Sequence, residues 1–372
     1  MDIYLDAKTS LKLYRIAARN KTLALRPSDK KAPQALGLRV AKPYRLGIPG
    51  LLSLLRVPES APLGILVPRA KDRVRCSGIA CTIMRTPRGE APFLRLESTD
   101  ATSSGCLEPK DGNVFLLAPA NVVLGMAKML RQKELQGCMG HQKAVLSLAK
   151  LCLELCGTFS HDPFDPHDGE VVYKTTPVTS TEELAEFVKD GGREQGLSLL
   201  REVVPLIFDK SGSPQESFLG AAMFFPGRLG GLRLCGYAAN TPLKLTRDQR
   251  ASIGYRVITP DFTLVGYNAV MEYLGSVHKE GDNPRIDHVR SLDYQTLGIR
   301  EYAFWYADVR TQSAFMQSAA RVLRAVEQVD GPEARRRFAR LANDPAFKEK
   351  QKVLVSVFMP WKYRQEFTGV DW

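Results

Sequence analysis

The stretch VITPDFTLVGYNAVMEYLGSVHKE, residues 257–280, reads as two short strands joined by a turn near Gly266-Tyr267-Asn268. Asp261 opens the first strand and Glu272 lies late in the second. With a strand period of two, Val270, Glu272 and Leu274 share one face. A carboxylate flanked by AVM and YLG is costly to bury without a partner. A metal ion, Arg285 or Arg290 would each serve, and a structural salt bridge competes with a metal site as the reason for Glu272.

The elements around the hairpin alternate in kind. Before it, SPQESFLGAAMFF is a helix with Ser213 at the cap and Pro214 at the first helical position. Ser213 and Glu216 have the spacing of a capping box, so Glu216 has a structural reading as well as a chemical one. After the hairpin, NPRIDHVRSLDYQTLG is a helix ended by Gly298, REYAFWYADV a strand and QSAFMQSAARVLRAVEQV a helix. Helix, strands, helix, strand, helix is an α/β order.

Upstream, SLKLYRIAAR is an amphipathic helix and residues 62–118 read as short strands split by turns. Two helices follow, PANVVLGMAKMLRQKEL and KAVLSLAKLCLELCG, the second with Gly157 as its C-terminal cap. A capping box at Ser180 and Glu183 opens another helix. EQGLSLLREVVPLI is helical as well. The tail from Gly331 is helical and basic around EARRRFARL.

The 372 residues carry a net charge of +12, and residues 1–75 hold sixteen Lys and Arg against five Asp and Glu. A basic lobe of that kind favours an anionic partner, nucleic acid above all, against the plainer reading of a solvated basic surface. No apolar run approaches the ~20 residues of a membrane span. The opening residues mix charge throughout, so no secretory leader is expected. Seven scattered cysteines fit a reducing compartment, with the cytoplasm as the default.

Residues 205–315 resemble the PD-(D/E)XK nuclease superfamily, in particular domains similar to the very-short-patch repair nucleases. The matching pieces are Glu216, Pro260-Asp261, Glu272-Tyr273-Leu274-Gly275, His278, and Asp282, Arg285, Asp287 and Arg290 leading the next helix. DIYLDAKTSLKLYR, the strand-rich segment and LCLELCGTFS are similar to regions that precede such a domain in proteins with an AbiEi-antitoxin-like N-terminus. The resemblance implies a restriction-endonuclease-like mixed α/β sheet flanked by helices, behind an α+β N-terminal region. It implies Asp261 and Glu272 as magnesium ligands, Glu216 as an accessory ligand, and His278 as an acid/base group whose ordinary pKa suits that work. Lys279 is a further accessory candidate, and Arg285 and Arg290 are nucleic-acid contacts or one face of a solvated helix.

Phosphodiester hydrolysis needs a cation to neutralise developing charge and supply activated water, and magnesium takes few protein carboxylates. Side chains directly opposite on antiparallel strands sit about 5 Å apart, close enough to share one ion. Position 274 departs from the family pattern. It is where a lysine or another polar group is expected, and Leu274 orients no water.

Other constellations are weaker. Cys138-x-x-His141 with Cys152-x-x-x-Cys156 offers zinc-ligand residue types, but Cys152 and Cys156 are one helical turn apart among leucines, as core residues are. SHDPFDPHDGE is a polar loop before it is a metal site. The expected organisation is 1–120 basic α+β, 121–204 helical, 205–315 endonuclease-like and 316–372 a helical extension. Two functions are expected to compete. One is a magnesium-dependent DNA endonuclease of defence or repair. The other is a catalytically degenerate, antitoxin-like regulator that binds nucleic acid or protein, with a protein partner or a homodimer as a possible assembly.

Overall fold

The computed structural model describes residues 2–21, 23–34, 49–57, 61–76, 78–84, 86–98, 113–189, 192–275, 283–309 and 311–359, without the side chains of 49, 283–287 and 335. The elements in chain order are β1 (Ile3–Tyr4), α1 (Ala7–Arg19), β2 (Leu23–Pro27), α2 (Pro49–Leu54), β3 (Leu63–Val67), β4 (Ile79–Ile83), β5 (Phe93–Ser98) and β6 (Val114–Leu117). Then come α3 (Pro119–Leu135), α4 (His141–Leu155), β7 (Phe159–Ser160), β8 (Val172–Tyr173), α5 (Thr181–Lys189), α6 (Leu197–Val203) and α7 (Pro214–Phe224). The last are β9 (Tyr237–Ala239), α8 (Arg247–Ser252), β10 (Phe262–Leu264), β11 (Ala269–Leu274), α9 (Asn283–Thr296), β12 (Arg300–Trp305), α10 (Tyr306–Val309), α11 (Gln312–Asp330), α12 (Pro332–Asn343) and α13 (Pro345–Phe358).

The chain divides into two compact units. One comprises residues 1–139 and 160–204, the other residues 140–159 and 205–372. Of the boundaries expected near 120, 204 and 315, only that at 204 coincides with this division. The helices expected to link two domains are shared between the units, because α3 packs on α1 and α6 while α4 packs on α13 and α7. Residues 316–372 join the second unit, since α13 lies against both α4 and α7.

In the first unit a mixed sheet has the order β1-β6-β5-β2, with β1 parallel to β6 and the other pairs antiparallel. Asp6 caps α1 by accepting from the Thr9 amide at 2.9 Å. Leu13 and Ile16 on α1 are buried in one apolar cluster with β3, β6 and α2. The buried Tyr14 hydroxyl donates to the Leu117 carbonyl at 2.8 Å.

The second unit carries the expected hairpin, with Phe262 opposite Met271 and Leu264 opposite Ala269. Gly266 and Asn268 take the positive φ values, 90° and 46°, that its tight turn requires. β9, a strand of three residues that its sequence did not signal, pairs antiparallel with β10. After β11 the chain crosses over through α9 and returns as β12, parallel to β11, giving the order β12-β11-β10-β9. The central position of β11 explains its near-continuous apolar run, because all six residues are buried.

Alternation along β10 and β11 sorts their side chains between two helices. Phe262 faces α7, in an aromatic cluster with Phe208, Phe224 and Tyr237. Gly220 of α7 admits this cluster. A Cβ there would lie 2.5 Å from the Phe208 ring and 2.9 Å from that of Phe262. Val270 faces the other way and packs with Tyr294 of α9, Ile253 and Ile258. Gly157 does follow α4, but not as a left-handed cap. A Cβ there would meet the carbonyls of Leu153 at 2.6 Å and Ser211 at 2.9 Å.

Candidate carboxylate site

Continuing the hairpin register by one pair places Asp261 directly opposite Glu272, so both side chains leave the sheet on the same face. The Asp261 amide points to Glu272 Oε2 at 3.4 Å, and the Tyr273 amide donates to Asp261 Oδ2 at 2.7 Å. On the far side of β10 the Asn240 amide donates to the Asp261 carbonyl at 2.9 Å.

α9 supplies the other contacts of Glu272. Arg290 and Tyr294 are four residues apart and share a face of that helix. The Tyr294 hydroxyl donates to Oε1 of Glu272, while Arg290 Nη1 lies 3.4 Å from Oε2. Of the partners expected for Glu272, Arg290 is therefore engaged. Tyr294 was not anticipated. Its signal was present in the sequence, as a tyrosine one helical turn beyond an arginine, on a helix following an acidic strand.

Glu216 comes from the first turn of α7. Ser213 caps that helix, accepting from the Glu216 amide at 3.0 Å. The Glu216 carboxylate does not complete the reciprocal box. It accepts from the amide of Gly212, one residue before the cap, at 2.7 Å.

The three carboxyl groups feel one another. Burial lifts Glu272 to about 8, with the charge of Asp261 adding to the rise and Arg290 and Tyr294 opposing it. Burial lifts Glu216 to about 7, with the Gly212 and Ser213 hydrogen bonds opposing and Glu272 adding. Burial and the charge of Glu216 hold Asp261 well above the ordinary carboxylate range. Burial and Glu272 keep the Tyr294 phenol protonated, so it remains a donor. Two more polar atoms nearby, Thr263 Oγ1 and Asn240 Nδ2, are buried with no partner among the described residues.

Leu274 lies on the Glu272 face of β11 and is only 8% exposed, an apolar residue sealed into the sheet. His278 and Lys279 lie outside the described residues, as does Asp282, and so do the side chains of Arg285 and Asp287. Among the described residues, no three His, Cys, Asp or Glu side chains already close into a metal cage. Cys152 on α4 and Cys156 at the C-terminal cap of that helix are buried, and burial pushes the Cys152 thiol up to about 12. In the polar loop, Asp162 and Asp165 accept from backbone amides up to three residues on, which is turn-building work.

No family model, curated protein or solved structure matches the chain. Among the described residues, no helix is long and apolar enough to cross a membrane.

Proposed function

We propose that the second unit is a nuclease-type domain of the PD-(D/E)XK kind, hydrolysing phosphodiester bonds with a divalent cation. The single observation that carries this reading is the convergence of Asp261 and Glu272 from paired strands with Glu216 close by, all three held above their ordinary pKa. Partly dehydrated carboxylates that repel one another attract a hard cation, and their oxygens are the donors magnesium takes. Magnesium needs no full protein cage, since it keeps several waters. Asp261 and Glu272 would hold it, with Glu216 accessory. Bound there, it would neutralise phosphate charge and lower the pKa of water.

The chain's own groups have separable tasks. Tyr294 fixes the rotation of the Glu272 carboxylate through Oε1. The Gly212 amide turns Glu216, and the Tyr273 amide holds Asp261 against β11. In the hydrolysis, the oxygen of one water bonds to phosphorus as one P–O ester bond breaks. The proton shed by that water and the proton gained by the departing oxygen exchange with solvent.

Nucleic acid is the proposed partner. The first unit supports this with a surface recess of about 580 Å³ lined by Lys71, Arg73 and Arg75, all exposed. A second reading, a binding protein with a decayed site, draws support from the buried Leu274 alone.

The test is supercoiled plasmid incubated with the protein and Mg²⁺ or Mn²⁺, against EDTA and against Glu272→Gln. Nicking that needs the metal and vanishes in the variant supports the nuclease. Salt-sensitive retention of DNA without cleavage supports the second reading, and cleavage gained by Leu274→Lys would identify the decay.

A further inference from the structure

We infer that residues 240–261, the excursion between β9 and β10, dock a nucleic-acid strand with unpaired bases, its phosphates on Lys244, Arg247 and Arg250 and one base on Tyr255. The choice of partner rests on the nuclease reading.

The excursion leaves and rejoins the sheet at the carboxylates. The Asn240 amide donates to the Asp261 carbonyl at 2.9 Å and the Leu243 amide to the Ile258 carbonyl at 3.0 Å, which stitches the two ends together. Ile253 and Ile258 are buried in one cluster with Val270 and Tyr294. Tyr294 is also the donor to Glu272. Arg256 grips both carboxylate oxygens of Asp293 on α9, Nε at 3.0 Å and a second nitrogen closer still. The outer side of this excursion is thus held beside the carboxylate site.

That outer side is basic. Lys244, Arg247 and Arg250 are exposed, with Asp248 as the acidic residue among them. Among the described residues, none of the three cations enters an ion pair. Arg247 and Arg250 are three apart on α8 and share a face of it. A capping box between Thr246 and Gln249 holds this short helix in shape. Cations without acidic partners suit a phosphate backbone, which sheds its counterions as they bind.

Tyr255 adds what charge alone does not. Its amide donates to the Arg250 carbonyl at 2.7 Å while the Gly254 amide donates to that of Ala251 at 3.1 Å, so the tyrosine is fixed at the end of the basic helix. Its φ of 58° lies in the left-handed region that favours glycine. The residue is nevertheless 64% exposed, whereas Ile253 and Ile258 on either side turn inward. The core gains little from this ring. An aromatic ring held in solvent beside cations is a stacking platform for a base. In a duplex the base faces already cover one another, so the ring is met by an unpaired base. An acidic peptide would satisfy the cations and give the ring no base to stack on.

The experiment measures, in EDTA and across a range of salt, the affinity of the whole chain for a fluorescent single strand and for its duplex. Thermal melting and metal-dependent plasmid nicking are measured beside it. Lys244→Gln, Arg247→Gln and Arg250→Gln combined are expected to lower the slope of log affinity against log salt on the single strand by about 2, at roughly 0.7 per phosphate contact. Tyr255→Ala is expected to bind the single strand about 5- to 100-fold more weakly, the worth of one stacked base, and the duplex as before. Tyr255→Phe keeps a ring and is expected to bind like wild type. These side chains are exposed, so the melting temperature should not move. If Tyr255→Ala does not melt cooperatively, Tyr255→Asn, which takes left-handed backbone more readily, carries the test. If the triple variant does not, Arg250→Gln alone carries it, with the slope lowered by about 0.7.

An unchanged slope, or a Tyr255→Ala that binds the single strand like wild type, overturns the inference. Equal weakening on strand and duplex does so too. Poly-glutamate held as tightly as DNA, and lost in the same variants, would make the partner an acidic protein and overturn it as well. If the variants bind normally while wild type nicks plasmid with Mg²⁺ and Glu272→Gln does not, the docking surface falls and the nuclease stands. If they lose binding as expected and wild type nicks with neither Mg²⁺ nor Mn²⁺, the nuclease reading falls and the docking surface stands.

Discussion

Asp261 and Glu272 hold one another through the backbone. The Asp261 amide points to Glu272 Oε2 at 3.4 Å, and the amide that follows Glu272 donates to Asp261 Oδ2 at 2.7 Å. This clasp keeps two like charges together against their repulsion. Removing one charge while keeping its shape should therefore stabilise the fold. Asp261→Asn retains an oxygen for the Tyr273 amide and gains a donor for Glu272. Its melting temperature in EDTA is expected to exceed that of wild type at pH 8 and to equal it at pH 5. A lower value at pH 8 would show that the pair does not repel.

The same repulsion sets a pH dependence. A carboxyl whose pKa is raised on folding binds more protons folded than unfolded, so stability falls as pH climbs from the ordinary value toward the raised one. For Glu272 that window runs from 4.5 to about 8, and for Glu216 from 4.5 to about 7. In EDTA the melting temperature is expected to decline across pH 5–8. Mn²⁺ or Mg²⁺ should flatten the decline, and a melting temperature that rises across this range would contradict the raised values.

Tyr294 is fully buried and its hydroxyl serves Glu272. Tyr294→Phe keeps the ring in its contact with Val270 and leaves Oε1 without that donor. The expected loss is about 1–3 kcal/mol, read as a lower urea midpoint at unchanged slope. No loss would mean that water replaces the phenol.

The basic recess of the first unit makes a separate prediction. Replacing Lys71, Arg73 and Arg75 together by Gln should weaken DNA binding across unrelated sequences. It should also reduce the slope of log affinity against log salt by about 3, one for each lost phosphate contact. These side chains are exposed, so the melting temperature should not move. An unchanged slope would put the DNA contacts elsewhere.

The hairpin was legible because its signals are local. Gly266 and Asn268 mark the turn, and apolar runs mark the arms. The caps at Ser213 and Ser180 were legible for the same reason, each satisfied within three residues. β9 was not, because three residues hold too little pattern and their pairing with β10 depends on chain more than twenty residues away. The two compact units do not divide at 120 or 315, because helix packing, which assigns α4 and α13 to one unit, leaves no mark in composition. The joint behaviour of Glu216, Asp261 and Glu272 was half visible. Residue types and the eleven-residue step suggested a pair, but only the folded chain brings in the phenol of Tyr294 and the amide of Gly212.

β11 is bonded along both edges, antiparallel to β10 over Ala269–Met271 and parallel to β12 over all six of its residues. Its amides can exchange with deuterium only when the whole sheet comes apart, so they are expected to be among the slowest in the unit. The carboxylate at Glu272 is thus anchored to the most persistent segment, whereas Arg290 rides on a helix outside the sheet. Isotope labelling would then see ligand-linked change on α9 while the strand beneath stays silent.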